Sequence, residues 1–164
     1  MNILGMKSTG DQTSVSVMLS DEINSFLISH ERKDRPNWEF LLSNIGHKKN
    51  FKLYEIDLFA FADCQNSYTA TRLIASYLKG LATALGKPLI VVKDLNNNNF
   101  EADSVVKNAK EIFLKNTKDN QLFDPQNANP SYSQDTKFQK INESHFIKLC
   151  FRGYSRLNRI FAHI

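Results

Sequence analysis

The chain is poor in the residues that stapled or metal-built folds depend on. Its 164 residues include two cysteines, Cys64 and Cys150, far apart and without metal-ligand spacing. A disulfide framework and a structural zinc site are therefore not expected, and a reduced, cytoplasmic protein is the simplest reading. Glycine and proline are also scarce, 6 and 4 residues. No GxGxxG or P-loop occurs, and neither does HExxH or GxSxG, so the common phosphate cradles and hydrolase signatures are missing. No run of about 18 apolar residues offers a membrane span. Met1 to Lys7 lacks a charged region ahead of a long apolar stretch and reads as a strand, not a signal peptide. His30, His47, His145 and His163 do not fall at ligand spacing, so no metal and no cofactor is expected.

What is present is an ordinary globular composition, 41% hydrophobic and 23% charged. The length suits one domain with a real core. The charge is unevenly placed. Between Thr136 and Ile164 six cations, Lys137, Lys140, Lys148, Arg152, Arg156 and Arg159, face Glu143 alone, so this segment carries +5 of a total of +4. The rest of the chain is near neutral, and attraction to RNA or acidic lipid belongs to the tail.

Ile3 to Met6 is a short apolar run. Val15, Val17 and Leu19 then alternate with Ser14, Ser16 and Met18, a period-2 strand signal. A third run, Ile23 to Ile28, completes an antiparallel meander. Asp34-Arg35-Pro36 resembles a helix start, with Trp38, Leu41, Leu42 and Ile45 following at helical spacing and Gly46 closing the helix. Ile56 to Ala62 predicts a strand buried on both faces. Tyr68 to Leu85 predicts a helix closed by Gly86 and Pro88, Leu89 to Val92 another strand, and Asp103 to Leu114 a further helix. Asp124 to Tyr132 is expected to be extended. Three strands, then helix, strand, helix and strand imply an α/β fold with a mixed sheet and helices packed on it.

Candidate chemistry is thin. Ser67 or Thr69 is expected to cap the helix that begins near Ala70 rather than act as a nucleophile. Asp11, Asp21, Glu22 and Asp63 read as exposed turn carboxylates. The helix from Tyr68 to Leu85 is apolar over most of its circumference, which fits burial between sheet and a neighbouring helix, or coverage by a partner. In the tail, Lys148, Arg152, Arg156 and Arg159 fall on one helical face opposite Ile147, Phe151, Tyr154 and Leu157. This amphipathic pattern fits a docked helix, RNA contact or attachment to a membrane surface.

Several stretches together resemble one family. Ile3-Leu4-Gly5-Met6-Lys7-Ser8-Thr9 with Ser14-Val15-Ser16-Val17, then Tyr54 to Phe61, are similar to the opening strands of bacterial TsaB, a glycoprotease-like family. Ser67-Tyr68-Thr69-Ala70-Thr71-Arg72, running into Lys79-Gly80-Leu81-Ala82 and Pro88, is similar to its central motif without a gap. Pro130-Ser131-Tyr132 resembles a late element. The resemblance implies half of an actin-like, ribonuclease-H-like fold. It implies an N-terminal domain over 1–95, a linker and helix remnant of a shortened second subdomain over 96–135, and the basic tail over 136–164. Function follows as a non-catalytic subunit that supports TsaD, with TsaE, in placing threonylcarbamoyl on adenosine 37 of tRNA. Trp38, Leu41, Leu42, Ile45, Ile74, Tyr77 and Leu78 would form the TsaD interface, with Ser67, Tyr68, Thr69 and Arg72 as motif residues. The same helix surfaces could equally form a homodimer when the partner is absent. Two departures matter. The family's acidic residue at the end of the first strand is Lys7 here, which argues against magnesium-nucleotide binding, and its Gly-Pro-Gly is Cys64-Gln65-Asn66. The competing reading is a small RNA-binding or protein-interaction module that has lost the pathway role.

Overall fold

The structure, a computed structural model, describes residues 1–31, 34–64, 67–93, 101–116 and 123–131. All of these lie in one compact unit, Met1–Ser133. The basic tail, with Lys148, Arg152, Arg156 and Arg159, lies outside the described residues.

Five strands form one sheet. β1 (Ile3–Ser8), β2 (Gln12–Leu19) and β3 (Glu22–Ser29) make the antiparallel meander. β4 (Leu58–Asp63) lies parallel to β1, and β5 (Leu89–Lys93) parallel to β4, giving the order β3-β2-β1-β4-β5. The β2–β3 turn has two residues, Ser20 and Asp21, both at positive φ (50° and 74°). Paired positive φ values match the right-handed twist of a hairpin, and a short polar side chain such as that of Asp tolerates them.

Helices cover both faces. α1 (Trp38–Asn44) and α2 (Tyr68–Leu85) pack on the side of Leu4, Met6, Val15, Val17, Phe59 and Phe61. α3 (Asp103–Lys115) packs on the side of Ile3, Met18, Leu58, Ala60 and Ala62. The helix placed by sequence in a remnant segment is therefore the cover of the second face, within the same unit as the sheet.

This changes the meaning of two serines. Ser14 and Ser16, which alternate with the valines of β2, are buried under α3. Their hydroxyls fix its first turn: Ser14 Oγ accepts from Ala102 N at 3.0 Å, and Ser16 Oγ donates to Asp103 Oδ1 at 3.0 Å. Ser25 Oγ on β3 donates to the same carboxylate. Backbone donors at a helix start have no intrahelical partner, and here the sheet supplies one. α3 also comes very close to β1: a Cβ built on Gly5 would stand 2.6 Å from Val106 Cγ1.

One boundary moved for a local reason. α1 begins at Trp38 because Asn37 is its cap, its side chain accepting from Phe40 N at 3.0 Å. Asp34, expected in that role, instead accepts from Glu31 N at 3.2 Å. α2 begins at Tyr68 and ends on Gly86 in the left-handed conformation (φ 62°). Ser67 holds the cap position, but its side chain makes no capping hydrogen bond, and Thr69 lies inside the first turn.

Candidate docking face and the cavity at its end

α1 and α2 lie side by side, and their packing decides which of the expected interface residues can meet another molecule. Leu41, Leu42, Ile45, Ile74 and Leu78 cannot: each is at most 2% exposed, turned into the core of the sheet. This corrects the interface expected for them. Their periodicity marked the stripe facing this chain's own strands, and a side chain covered by its own sheet offers no area to a second molecule.

Trp38 and Tyr77 behave differently. Their rings stack at 4.5 Å with an interplanar angle of 10°, joining α1 to α2 at the rim of the core. Both remain partly exposed. Burial raises the Tyr77 phenol above its ordinary value near 10, and the stacked Trp38 ring is part of what covers it. A raised phenol favours the folded state up to the unfolded value, and that contribution fades as pH climbs toward the folded one. Trp38→Ala is expected to bring the Tyr77 ionisation, followed by ultraviolet titration, back toward 10.

The outer side of α2 is apolar in part and otherwise built of small residues. Tyr68 and Leu73 are exposed at 50% and 42%, and Phe40 of α1 at 45%. Ser76, Gly80 and Ala84 are exposed at four-residue spacing. A Cβ on Gly80 would meet nothing within 4 Å. Small residues of this kind let a second backbone approach closely. Arg72 is also exposed; its Nη1 donates to the Tyr68 hydroxyl at 3.0 Å, and its guanidinium sits 5.1 Å from the Tyr68 ring centre.

A cavity of about 310 Å³ opens at the N-terminus of α2, walled by Ser8 at the end of β1, by Thr9 and Gly10 of the β1–β2 turn, by His30, Asp34 and Pro36, and by Ser67 to Ala70 with Leu73. Its sheet wall is tied by hydroxyls: Ser8 Oγ lies 2.9 Å from Thr13 Oγ1, which lies 2.8 Å from His30 Nε2. Asp34 is the one carboxylate among the described lining residues. Magnesium prefers several oxygen ligands, usually including carboxylates and phosphates. Lys7, at the end of β1, is 1% exposed. Among the described residues no group of three or more His, Cys, Asp or Glu could hold a metal ion. The donor set fits a magnesium-nucleotide poorly.

Asp63, expected to be an exposed turn carboxylate, is 5% exposed. Its Oδ2 accepts from Ser131 N at 2.9 Å and from Ser131 Oγ. Lys79 Nζ on α2 donates to Asn129 Oδ1 at 2.6 Å and to Gln126 O at 3.3 Å. Two polar clamps thus hold residues 123–131, which include a 3-10 turn at Pro125–Asn127, against the fold. Asp63→Ala is expected to release this segment, read as lost hydrogen-exchange protection at Ser131.

No protein-family profile matches the chain, and no curated protein matches it by sequence. Solved structures do. A Pseudomonas aeruginosa protein described as uncharacterised, with similarity to peptidase YeaZ, aligns with a TM-score of 0.53 at 21% identity, covering 57% of this chain and 44% of its own. YeaZ of Pseudomonas aeruginosa aligns with a TM-score of 0.49 at 25% identity over 57% of this chain and 43% of its own. The chain thus spans less than half the length of either. The first likeness establishes the fold, the actin-like, ribonuclease-H-like arrangement of the YeaZ (TsaB) structures. Among the described residues no helix is long and apolar enough to cross a membrane.

Proposed function

We propose that this chain is a TsaB-like, non-catalytic subunit that supports TsaD, with TsaE, in threonylcarbamoyl transfer to adenosine 37 of tRNA in the cytoplasm. What carries the reading is where the central motif lies. Ser67 to Pro88 spans α2 and its exit into β5 in a sheet of YeaZ-like fold. Its Gly80 faces open space on an exposed helical side. The docking surface is that outer side of α2, with Leu73, Ser76, Gly80 and Ala84, joined to the rim pair Trp38 and Tyr77. Stacked aromatics at the margin of a close helix approach are the kind of anchor that dominates interfaces.

In this role the subunit works by differential affinity. It can shift TsaD toward a productive state only as far as it binds that state better than the other. The reacting groups belong to the partner. On this chain the strand end that carries an acid in the family holds buried Lys7, and the adjoining cavity is lined by hydroxyls and one carboxylate.

Affinity capture with the full chain from its native host tests this. Recovery of TsaD or TsaE supports the scaffold, whereas RNA recovered without either supports the RNA-binding module. Capture of TsaD that survives Trp38→Ala together with Tyr77→Ala removes the rim pair from the interface.

A further inference from the structure

Among the described residues β3 is the sheet edge opposite β5, with eight residues in uninterrupted register with β2. Natural edge strands are blunted by brevity, bulges, proline or lysine. β3 (Glu22-Ile23-Asn24-Ser25-Phe26-Leu27-Ile28-Ser29) has none of these, whereas β5 has five residues and ends on Lys93. We propose that this edge pairs with β3 of a second copy of the chain, joining two sheets about a two-fold axis at Phe26. The inference is independent of the TsaD reading and uses a different surface.

The backbone fixes the register. His30 N donates to Asp11 O at 2.8 Å, continuing the β2–β3 ladder. In an antiparallel pair hydrogen-bonded residues alternate, so 22, 24, 26, 28 and 30 turn their backbone groups toward β2. Ile23, Ser25, Leu27 and Ser29 turn theirs outward. Antiparallel pairing of two such edges must set outward residues opposite one another. Centring on Phe26 places Ser25 opposite Leu27 and Ile23 opposite Ser29, which engages all four outward residues of each copy. Shifting the centre to Ser25 or Leu27 leaves at least one outward residue of β3 without a β3 partner.

Chemistry selects a copy over an unrelated peptide. Glu22 is the one charged residue of the strand. In this register it meets His30 of the other copy, and the two Glu22 side chains stand roughly 27 Å apart along the strands. At the axis, the Phe26 side chains face each other as a close, non-hydrogen-bonded pair. Phe26 already packs edge-on against Phe40 of α1, ring centres 5.8 Å apart. Phe40 is 45% exposed and Leu27 39%, and a second copy extends that Phe26–Phe40 contact into a four-ring cluster.

Sedimentation and concentration-dependent hydrogen exchange of the full chain test the proposal. The expected result is a dimer whose formation slows exchange at the amides of Ile23, Ser25, Leu27 and Ser29. Leu27→Lys should return it to monomer by setting a lysine on each edge, and Phe40→Lys, outside the sheet, is the second variant if the first does not fold. Gly80→Arg should leave the dimer in place. A chain that stays monomeric at all concentrations, or a dimer lost with Gly80→Arg but kept with Leu27→Lys, overturns the proposal.

Discussion

Gly80→Arg is expected to weaken capture of TsaD by about 100-fold or more while the free chain stays as stable as before. The two effects separate because of where Gly80 lies. Nothing approaches its Cβ position within 4 Å, so the new side chain has room in the free chain. Glycine in an exposed helix interior is roughly 1 kcal/mol worse than an ordinary residue, so the melting temperature should hold or rise slightly. In a close helix–helix contact the same side chain blocks the approach and buries an unpaired guanidinium. A desolvated, unpaired charge costs about 3–5 kcal/mol, and every 1.4 kcal/mol is tenfold in affinity. Isothermal titration beside a thermal melt reads both. Unchanged affinity would place the partner elsewhere.

Leu78→Ala should do the opposite. Leu78 is fully buried under the sheet with Ile74 and Phe59 in one cluster. Truncating such a leucine costs about 2–5 kcal/mol through lost transfer energy and the cavity left behind. For a domain of this size that lowers the melting temperature by on the order of 10 °C. Any loss of partner capture would then follow the loss of folded protein, and would be recovered at low temperature. If Leu78→Ala left stability intact but abolished capture, the assignment of this stripe to the core would be wrong. Gly5→Val tests the other face in the same way. Its Cβ would stand 2.6 Å from Val106 Cγ1, and overpacking of this kind costs about 1–3 kcal/mol.

Much of the fold was legible because its signals are local. The period-2 pattern of β2, the helical spacing of α2 and its stop at Gly86 are set within a few residues. The mixed sheet follows from their order. What could not be read was which body covers which stripe. Leu41, Ile45, Ile74 and Leu78 repeat as an interface stripe would, and spacing is identical whether the cover is one's own sheet or a partner. The burial of Ser14 and Ser16 could not be read either, because their cover, α3, arrives from nearly 90 residues later in the chain. Asp63 looked like a turn carboxylate because its partner, Ser131, lies 68 residues later in the chain.

In the function proposed above, this polypeptide acts on tRNA through another subunit. The most direct measurement is the threonylcarbamoyladenosine content at position 37 of tRNA, by mass spectrometry, from native cells depleted of the chain. The account predicts loss of the modified nucleoside, restored by the wild-type chain and not by Gly80→Arg. Modification that persists undiminished after depletion would contradict it.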